Sequence, residues 1–294
     1  MRQDQFLEYL QFEKRYSQHT VGSYATDLKQ FFAFLEEVYD TARIQDVNHA
    51  MVRSWVVALM DNGLSPRSVN RKLSTLKTYY RFLRREGVVA ENPMAKVQSP
   101  KVAKRLPEFV EEKRMERLLD DVEFEQDYNG RRDQLILELL YATGIRVSEL
   151  VGLRDADVDF GRQTLKVLGK RNKERILPVP PALLTLIEKY LDLKESDSQM
   201  STGEYLLVKD SGEKLTRGFV YRIVNRYLGM VTTAKKRSPH VLRHTFATHM
   251  LNEGADLNAI KELLGHANLS ATQVYTHNTI EKLKNIHKQA HPEG

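Results

Sequence analysis

The sequence predicts a mainly α protein with a small β-sheet in its second half, built as two domains. Three observations carry that reading. Apolar residues recur at helical spacing through the first ninety or so positions. A proline-punctuated basic stretch then breaks the pattern. After Asp157 the period switches to that of a strand for one hairpin, before helical spacing returns. The expected organisation is a helical domain over 1–90, a basic linker over 91–107, and a second domain over 108–294.

A chain of 294 residues is long enough for two domains with real cores. Its formal net charge of +6 invites an acidic partner without naming one. The absence of cysteine excludes disulfides and thiolate metal sites. The first residues, Met1 to Phe6, lack the apolar core of a signal peptide, and no apolar run is long enough to span a bilayer. The expectation is a soluble, cytoplasmic protein with no membrane partner.

In the first domain, Phe6, Leu7 and Leu10 begin one apolar stripe. Val21, Tyr24, Leu28, Phe31, Phe32 and Leu35 make a stronger one, and Val52, Trp55, Val56 and Leu59 mark a third helix over Val47 to Leu59. In the fourth, Val69, Leu73, Leu76, Tyr80 and Leu83 form one face. Arg67, Arg71, Ser74, Thr78 and Arg85 fall opposite. From Asn62 to Arg85 there are seven Lys or Arg and no acidic residue. Such a run is often only a solvated face. Here hydroxyls alternate with cations and no carboxylate balances them, which favours a helix that tracks phosphates.

Glu91 to Val110 holds Pro93, Pro100 and Pro107 among Lys96, Lys101, Lys104 and Arg105, the composition of an interdomain tether. Helices are expected over Val110 to Asp121 and Asp133 to Ala142, the latter stopped by Gly144. Thr164 to Leu168 and Arg175 to Val179 read as paired strands, joined by the polar stretch Gly169 to Glu174 with Lys170 near the tip. Pro180-Pro181 opens a helix over Ala182 to Leu193. Glu195 to Gly203 reads as a polar loop, Tyr205 to Val208 as a short strand, and Arg217 to Leu228 as a helix.

The stretch Ser238-Pro239-His240-Val241-Leu242-Arg243-His244 is a helix start, with Ser238 as cap and Pro239 in the first turn. His240 and Arg243 lie three apart beside a helix N-terminus, where an imidazole and a guanidinium fork suit a phosphate oxygen. His244 suits a core face. Gly254 is a helix stop, Leu257 to Leu264 a further helix closed by Gly265, and Ser270 a cap for a short helix carrying Tyr275. Ile280, Leu283 and Ile286 mark an amphipathic tail helix, able to pack on its own domain or on a neighbour.

Five stretches then stand in a telling order. They are Ala142 to Leu150 (with Arg146), Val167 to Arg175 (with Lys170), Ser238 to His249, Leu263-Leu264-Gly265-His266, and Thr272 to His277 (with Tyr275). Together they resemble the tyrosine recombinase family, and most closely its Xer branch. The resemblance covers essentially the whole chain. It implies an N-terminal SAM-like core-binding domain, a C-terminal catalytic domain, and an active site of Arg146, Lys170, His240, Arg243, His266 and the nucleophile Tyr275. Lys170 is matched because it follows Gly169, with Lys173 as the fallback. One departure is Arg171, which stands where Xer proteins usually have glycine.

The chemistry of those residue types is coherent. A phenol has a reference pKa near 10 and needs a base or electrostatic help to attack a phosphodiester. Charge gathering on the non-bridging oxygens calls for fixed donors, and two guanidiniums supply them without a metal. The leaving 5′ oxygen wants a proton, which Lys170 can give. His240 and His266 can orient phosphate, relay a proton or assist Tyr275. Each residue also has a plainer role. Tyr275 suits a core, Arg146 can pair with Glu149 across a helical turn, and His266 can cap a helix end. His240 with His244 lacks the Glu and third ligand of a metal site.

The resemblance further implies a 3′-phosphotyrosyl intermediate, hence no ATP, metal or other cofactor. Its partners would be double-stranded DNA and a homo- or hetero-tetramer on two sites, with a second Xer recombinase and a DNA translocase as further candidates. A first helix starting almost at Met1 leaves no room for an extra arm-binding domain. That favours resolution of chromosome dimers over the integrase of a mobile element. A type IB topoisomerase shares the chemistry, and a DNA-bridging accessory protein is the non-enzymatic alternative.

Overall fold

Apolar stripes at helical spacing give the helices they predict, though several start or stop elsewhere. The computed structural model describes residues 2–40, 43–103, 108–169, 173–196 and 203–265. The chain divides into two units, Met1–Arg105 and Leu106–Gly294.

In the first unit, α1 (Arg2–Glu8) continues through a π-type turn, Tyr9–Glu13. It is followed by α2 (Gln18–Tyr39), α3 (His49–Asp61) and α4 (Pro66–Arg85). Val47 is buried ahead of α3 rather than in it, because Asn48 caps that helix by accepting from the amides of Ala50 and Met51. Ser65 caps α4 through the Ser68 amide, with Pro66 at the first position. All five residues of the α4 stripe are fully buried against Phe6, Leu28, Phe31 and Trp55.

The expectation that no carboxylate balances the α4 cations is corrected. Asp27, on α2 and fully buried, accepts from Arg71 Nη1 at 2.5 Å and Nη2 at 2.9 Å, from Lys72 Nζ at 3.0 Å and from Thr75 Oγ1 at 2.9 Å. A local charge count misses a partner more than forty residues away. The basic stretch expected as a tether also begins on this unit. Met94 and Val97 join its core, and Asn70 Nδ2 donates to the Pro100 carbonyl at 2.9 Å.

In the second unit, the helix expected over Val110 to Asp121 is α5 (Glu112–Glu116) followed by a π-type turn, Arg117–Asp121. α6 (Tyr128–Thr143) starts a turn earlier than its apolar stripe, at the cap formed by Asp127 on the Gly130 amide. Then come α7 (Val147–Leu150), β1 (Val158–Asp159), β2 (Thr164–Leu168) and β3 (Glu174–Pro178), an antiparallel sheet in that order. Leu168 pairs with Glu174 at the loop end of the predicted hairpin. β1 is too short to leave a period in the sequence. α8 (Pro181–Glu195) follows. Tyr205 to Val208 is no strand. It makes isolated bridges, Arg154 to Tyr205 and Val208 to Lys214, and its apolar run reflects burial of Leu206, Leu207 and Val208.

α9 (Arg217–Val231), α10 (Pro239–Asn252) and α11 (Leu257–Leu264) complete the described elements. α10 packs Leu242, Phe246 and Met250 into the core beside Leu139 and Leu140 of α6. Burial of each such side chain contributes about 1.5–3 kcal/mol. Val110 is pinned to α10, its amide donating to Thr245 Oγ1 and its carbonyl accepting from His249 Nε2, both at 2.9 Å. Among the described residues no helix is long and apolar enough to cross a membrane.

Candidate active site

Three of the six sequence-predicted site residues fall among the described residues, and the fold brings two of them together. α6 ends at Gly144, whose left-handed backbone (φ 60°) turns the chain so that Arg146 becomes the N-terminal flank of α7. A Cβ on Gly144 would lie 2.5 Å from Phe246 Cδ1, so glycine is required twice over. Arg146 is about one-fifth exposed. Its Nη1 donates to Glu149 Oε1 at 2.7 Å and its Nη2 to the Gly265 carbonyl at 3.2 Å. The Arg146 amide also donates to Glu149 Oε2 at 2.8 Å, a reciprocal cap that fixes the backbone beneath the guanidinium.

Arg243 reaches the same place from α10. It is buried, and its two terminal nitrogens donate to the Gly144 and Leu264 carbonyls. Arg175, in β3, adds a third guanidinium. Its Nε donates to the Leu263 carbonyl at 2.9 Å, and its Nη1 and Nη2 fork Glu149 at 3.0 and 2.8 Å.

The last two carbonyls of α11, those of Leu263 and Leu264, and that of its cap Gly265 thus take one arginine each: Arg175, Arg243 and Arg146. Helix C-terminal carbonyls lack intrahelical donors and carry the negative end of the helix dipole, so cations are their natural partners. Gly265 closes α11 with φ 63°, and a Cβ there would lie 3.3 Å from Arg175 Cδ.

Electrostatically, three cations share one carboxylate. Burial alone would raise the Glu149 pKa, but the bonds and charge of Arg175, followed by those of Arg146, hold it at about 2. Burial, then the charge of Arg146, pushes Arg243 down to about 9, which leaves it cationic at neutral pH. The excess of positive charge in a partly desolvated site suits a phosphate. A guanidinium has five N–H donors, so Arg146 and Arg243 retain donors beyond those holding them in place.

His240 lies exposed in the first turn of α10, three residues before Arg243. Ser238 flanks that helix as expected, but its side chain makes no capping bond. His244 is half-buried. Lys170, His266 and Tyr275 lie outside the described residues, as do the helices expected around Ser270 and Ile280. Lys173, the fallback, is exposed, and its carbonyl accepts from the Gly169 amide at 2.8 Å, closing the hairpin flank. Among the described residues no group of three or more His, Asp or Glu is placed to hold a metal ion.

The plainer reading of Arg146, a pair with Glu149, is therefore real, and it orients the guanidinium rather than excluding it from chemistry. Sequence reasoning passed over Arg175. The available signal was a cation on the same strand face as Leu177, in a strand otherwise patterned for burial, which demands a buried partner.

The model of the phage integrase family matches residues 108–282, and that of the phage integrase N-terminal SAM-like domain matches residues 4–87. The tyrosine recombinase XerC of Oceanobacillus iheyensis is 41% identical over 292 residues, covering 98% of this chain and 95% of that protein. The tyrosine recombinase XerC of Staphylococcus carnosus is 41% identical over 290 residues, covering 99% and 97%. Among solved structures, the XerH site-specific recombinase bound to a palindromic difH substrate, a post-cleavage complex, has a TM-score of 0.71 at 20% identity, covering 92% of this chain and 77% of that one. With both units matched and relatives aligned along nearly its whole length, the chain belongs to the phage integrase family, the tyrosine recombinases.

Proposed function

We propose that this protein is a site-specific DNA recombinase of the XerC kind, which cleaves and rejoins duplex DNA at a dif-like site and so resolves chromosome dimers in the cytoplasm. The observation that carries the reading is the convergence of Arg146 and Arg243 on the end of α11, immediately before His266 in the chain. Relatives sharing 41% of residues along the full length supply the reaction class.

In this reading the Tyr275 phenol oxygen attacks the scissile phosphorus as its proton passes to His240 or His266. The P–O5′ bond breaks, a 3′-phosphotyrosyl link forms, and Lys170 delivers a proton to the departing 5′ oxygen. Arg146 and Arg243 fork the non-bridging oxygens, while His240 and His266 orient phosphate or move protons. A 5′-hydroxyl from another strand then attacks the link and releases the phenol. One phosphodiester replaces another, so no external energy source enters. Two sites and four protomers complete the exchange, with a second Xer protein and a DNA translocase as candidate partners. Residues 1–90 would grip the core site and 108–294 cut it. Arg67, Ser74, Thr78 and Arg85 on α4 would contact the backbone, along with Arg71.

The test is covalent trapping. Wild-type protein incubated with a random-sequence library of nicked duplexes should retain DNA through denaturation, and sequencing that DNA gives the target site. Tyr275→Phe should retain none. Retention by the variant would remove Tyr275 as nucleophile.

A further inference from the structure

Arg175 stands outside the six-residue set, yet it is tied to three parts of the site at once. Its guanidinium, 6% exposed, bonds the Leu263 carbonyl of α11 and both carboxylate oxygens of Glu149 in α7. It also lies against two backbones that lead into predicted site residues. A Cβ on Gly169, the neighbour of Lys170, would lie 3.5 Å from Arg175 Nη1 and 3.6 Å from Glu149 Oε1. A Cβ on Gly265, the neighbour of His266, would lie 3.3 Å from both Arg175 Cδ and Nη1.

A fold needs no charge there. Arg175 pairs across the sheet with Val167, which is fully buried, and an aliphatic side chain would fill that strand position without desolvating an ion. What an aliphatic residue cannot do is hold Glu149 in the orientation from which it bonds both the amide and the guanidinium of Arg146. Nor can a lysine, since one ammonium does not reproduce a three-way fork.

We propose that Arg175 is a positioning residue for strand cleavage: it fixes Glu149, and through it Arg146, against the end of α11, and sets the backbone before Lys170 on the same support. This rests on the functional reading above. Arg175 does not touch the phosphate. It keeps the phosphate-binding guanidinium, the hairpin and the α11 terminus in one register.

The experiment uses the full chain and a nicked duplex carrying the site recovered by covalent trapping with wild type. Arg175→Lys is assayed well below its own melting temperature. A second variant, Arg175→Met with Glu149→Gln, removes both charges of the buried pair together, so that no carboxylate is left unpartnered in the core. DNA Kd should remain that of wild type while the single-turnover rate of phosphotyrosyl formation falls about 100-fold, the scale of a misplacement near 1 Å. The double variant Glu149→Gln with Arg175→Lys should be no slower than the slower single, because both act through one contact. Kd and rate falling together, wild-type cleavage by either variant, or additive losses in the double would each overturn the proposal while leaving the recombinase reading intact. Failure of wild type to trap any DNA would instead overturn the recombinase reading.

Discussion

Arg243 donates to the carbonyl of Leu264 at 2.6 Å, a bond from the middle of α10 to the last residue of α11. Its other terminal nitrogen holds the Gly144 carbonyl at the end of α6. Two helix ends thus clamp one buried guanidinium, and its remaining donors inherit a fixed direction.

Arg243→Lys is expected to retain charge and lose the clamp. One ammonium cannot serve two carbonyls on different helices and still present a fork to phosphate. Covalent complex formation should drop about 10²–10³-fold, the usual cost of removing a preorganised donor, with DNA binding largely kept. Single-turnover trapping and a gel-shift titration separate the two effects. Near-normal trapping by the lysine variant would mean the fork is unused.

Acid should destabilise this site through Glu149. Its pKa is 4.5 when unperturbed and about 2 in the fold, so the unfolded chain takes up a proton first as pH falls. The resulting stability is fully present above about pH 4.5 and is lost as pH drops towards 2. About 2.5 pH units at about 1.4 kcal/mol each amount to about 3.5 kcal/mol, undiscounted because the side chain is only 3% exposed. Urea unfolding of wild type and Glu149→Gln at several pH values between 2 and 6 is the measurement. The variant should start less stable and show a flatter acid slope. Parallel slopes would mean that the arginines do not hold the carboxylate down.

Much of this was legible in the residues. The α4 stripe, the β2–β3 pair, the proline start of α10 and the glycine stops at 144, 254 and 265 each act through local geometry, which a short window of sequence contains. The misses share one cause. Asp27 meets Arg71 from a helix more than forty residues away, and Arg175 meets Glu149 across 26 positions. Neither distance leaves a period. α6 begins at Tyr128 rather than Asp133 because a side-chain cap, Asp127, and not an apolar residue marks its start. The pairing of Arg146 with Arg243 came from the family resemblance, not from any local period. That the end of α11 would seat three arginines was not legible, since backbone acceptors carry no residue identity.

Gly144 gives a test of packing against conformation. Alanine there faces a left-handed backbone, about 1–2 kcal/mol, and a clash with Phe246 and Leu264, about 1–3 kcal/mol more. Gly254 has φ 85° but open space around its Cβ position, so alanine there meets strain alone. Chemical denaturation should rank Gly144→Ala well below Gly254→Ala in stability. Only the former should also slow trapping, because its carbonyl holds Arg243. Equal losses would leave the Phe246 contact without consequence.

Arg67 and Arg71 sit one helical turn apart on α4 and should behave differently when removed. Arg67 is exposed, so Arg67→Ala should leave the melting temperature unchanged. If it contacts a DNA phosphate, the slope of log K against log salt should flatten by about 1. Arg71 has both terminal nitrogens on Asp27, which is fully buried. Losing it leaves that carboxylate with Lys72 and Thr75 only, at a cost of about 1–2 kcal/mol, the low end because the Arg71 side chain is half exposed. Arg71→Ala should therefore weaken both folding and binding, whereas Arg71→Lys should return part of the folding and less of the binding. An unchanged salt slope for Arg67→Ala would remove Arg67 from the DNA face. A normal melting temperature for Arg71→Ala would mean that Lys72 and Thr75 alone satisfy Asp27.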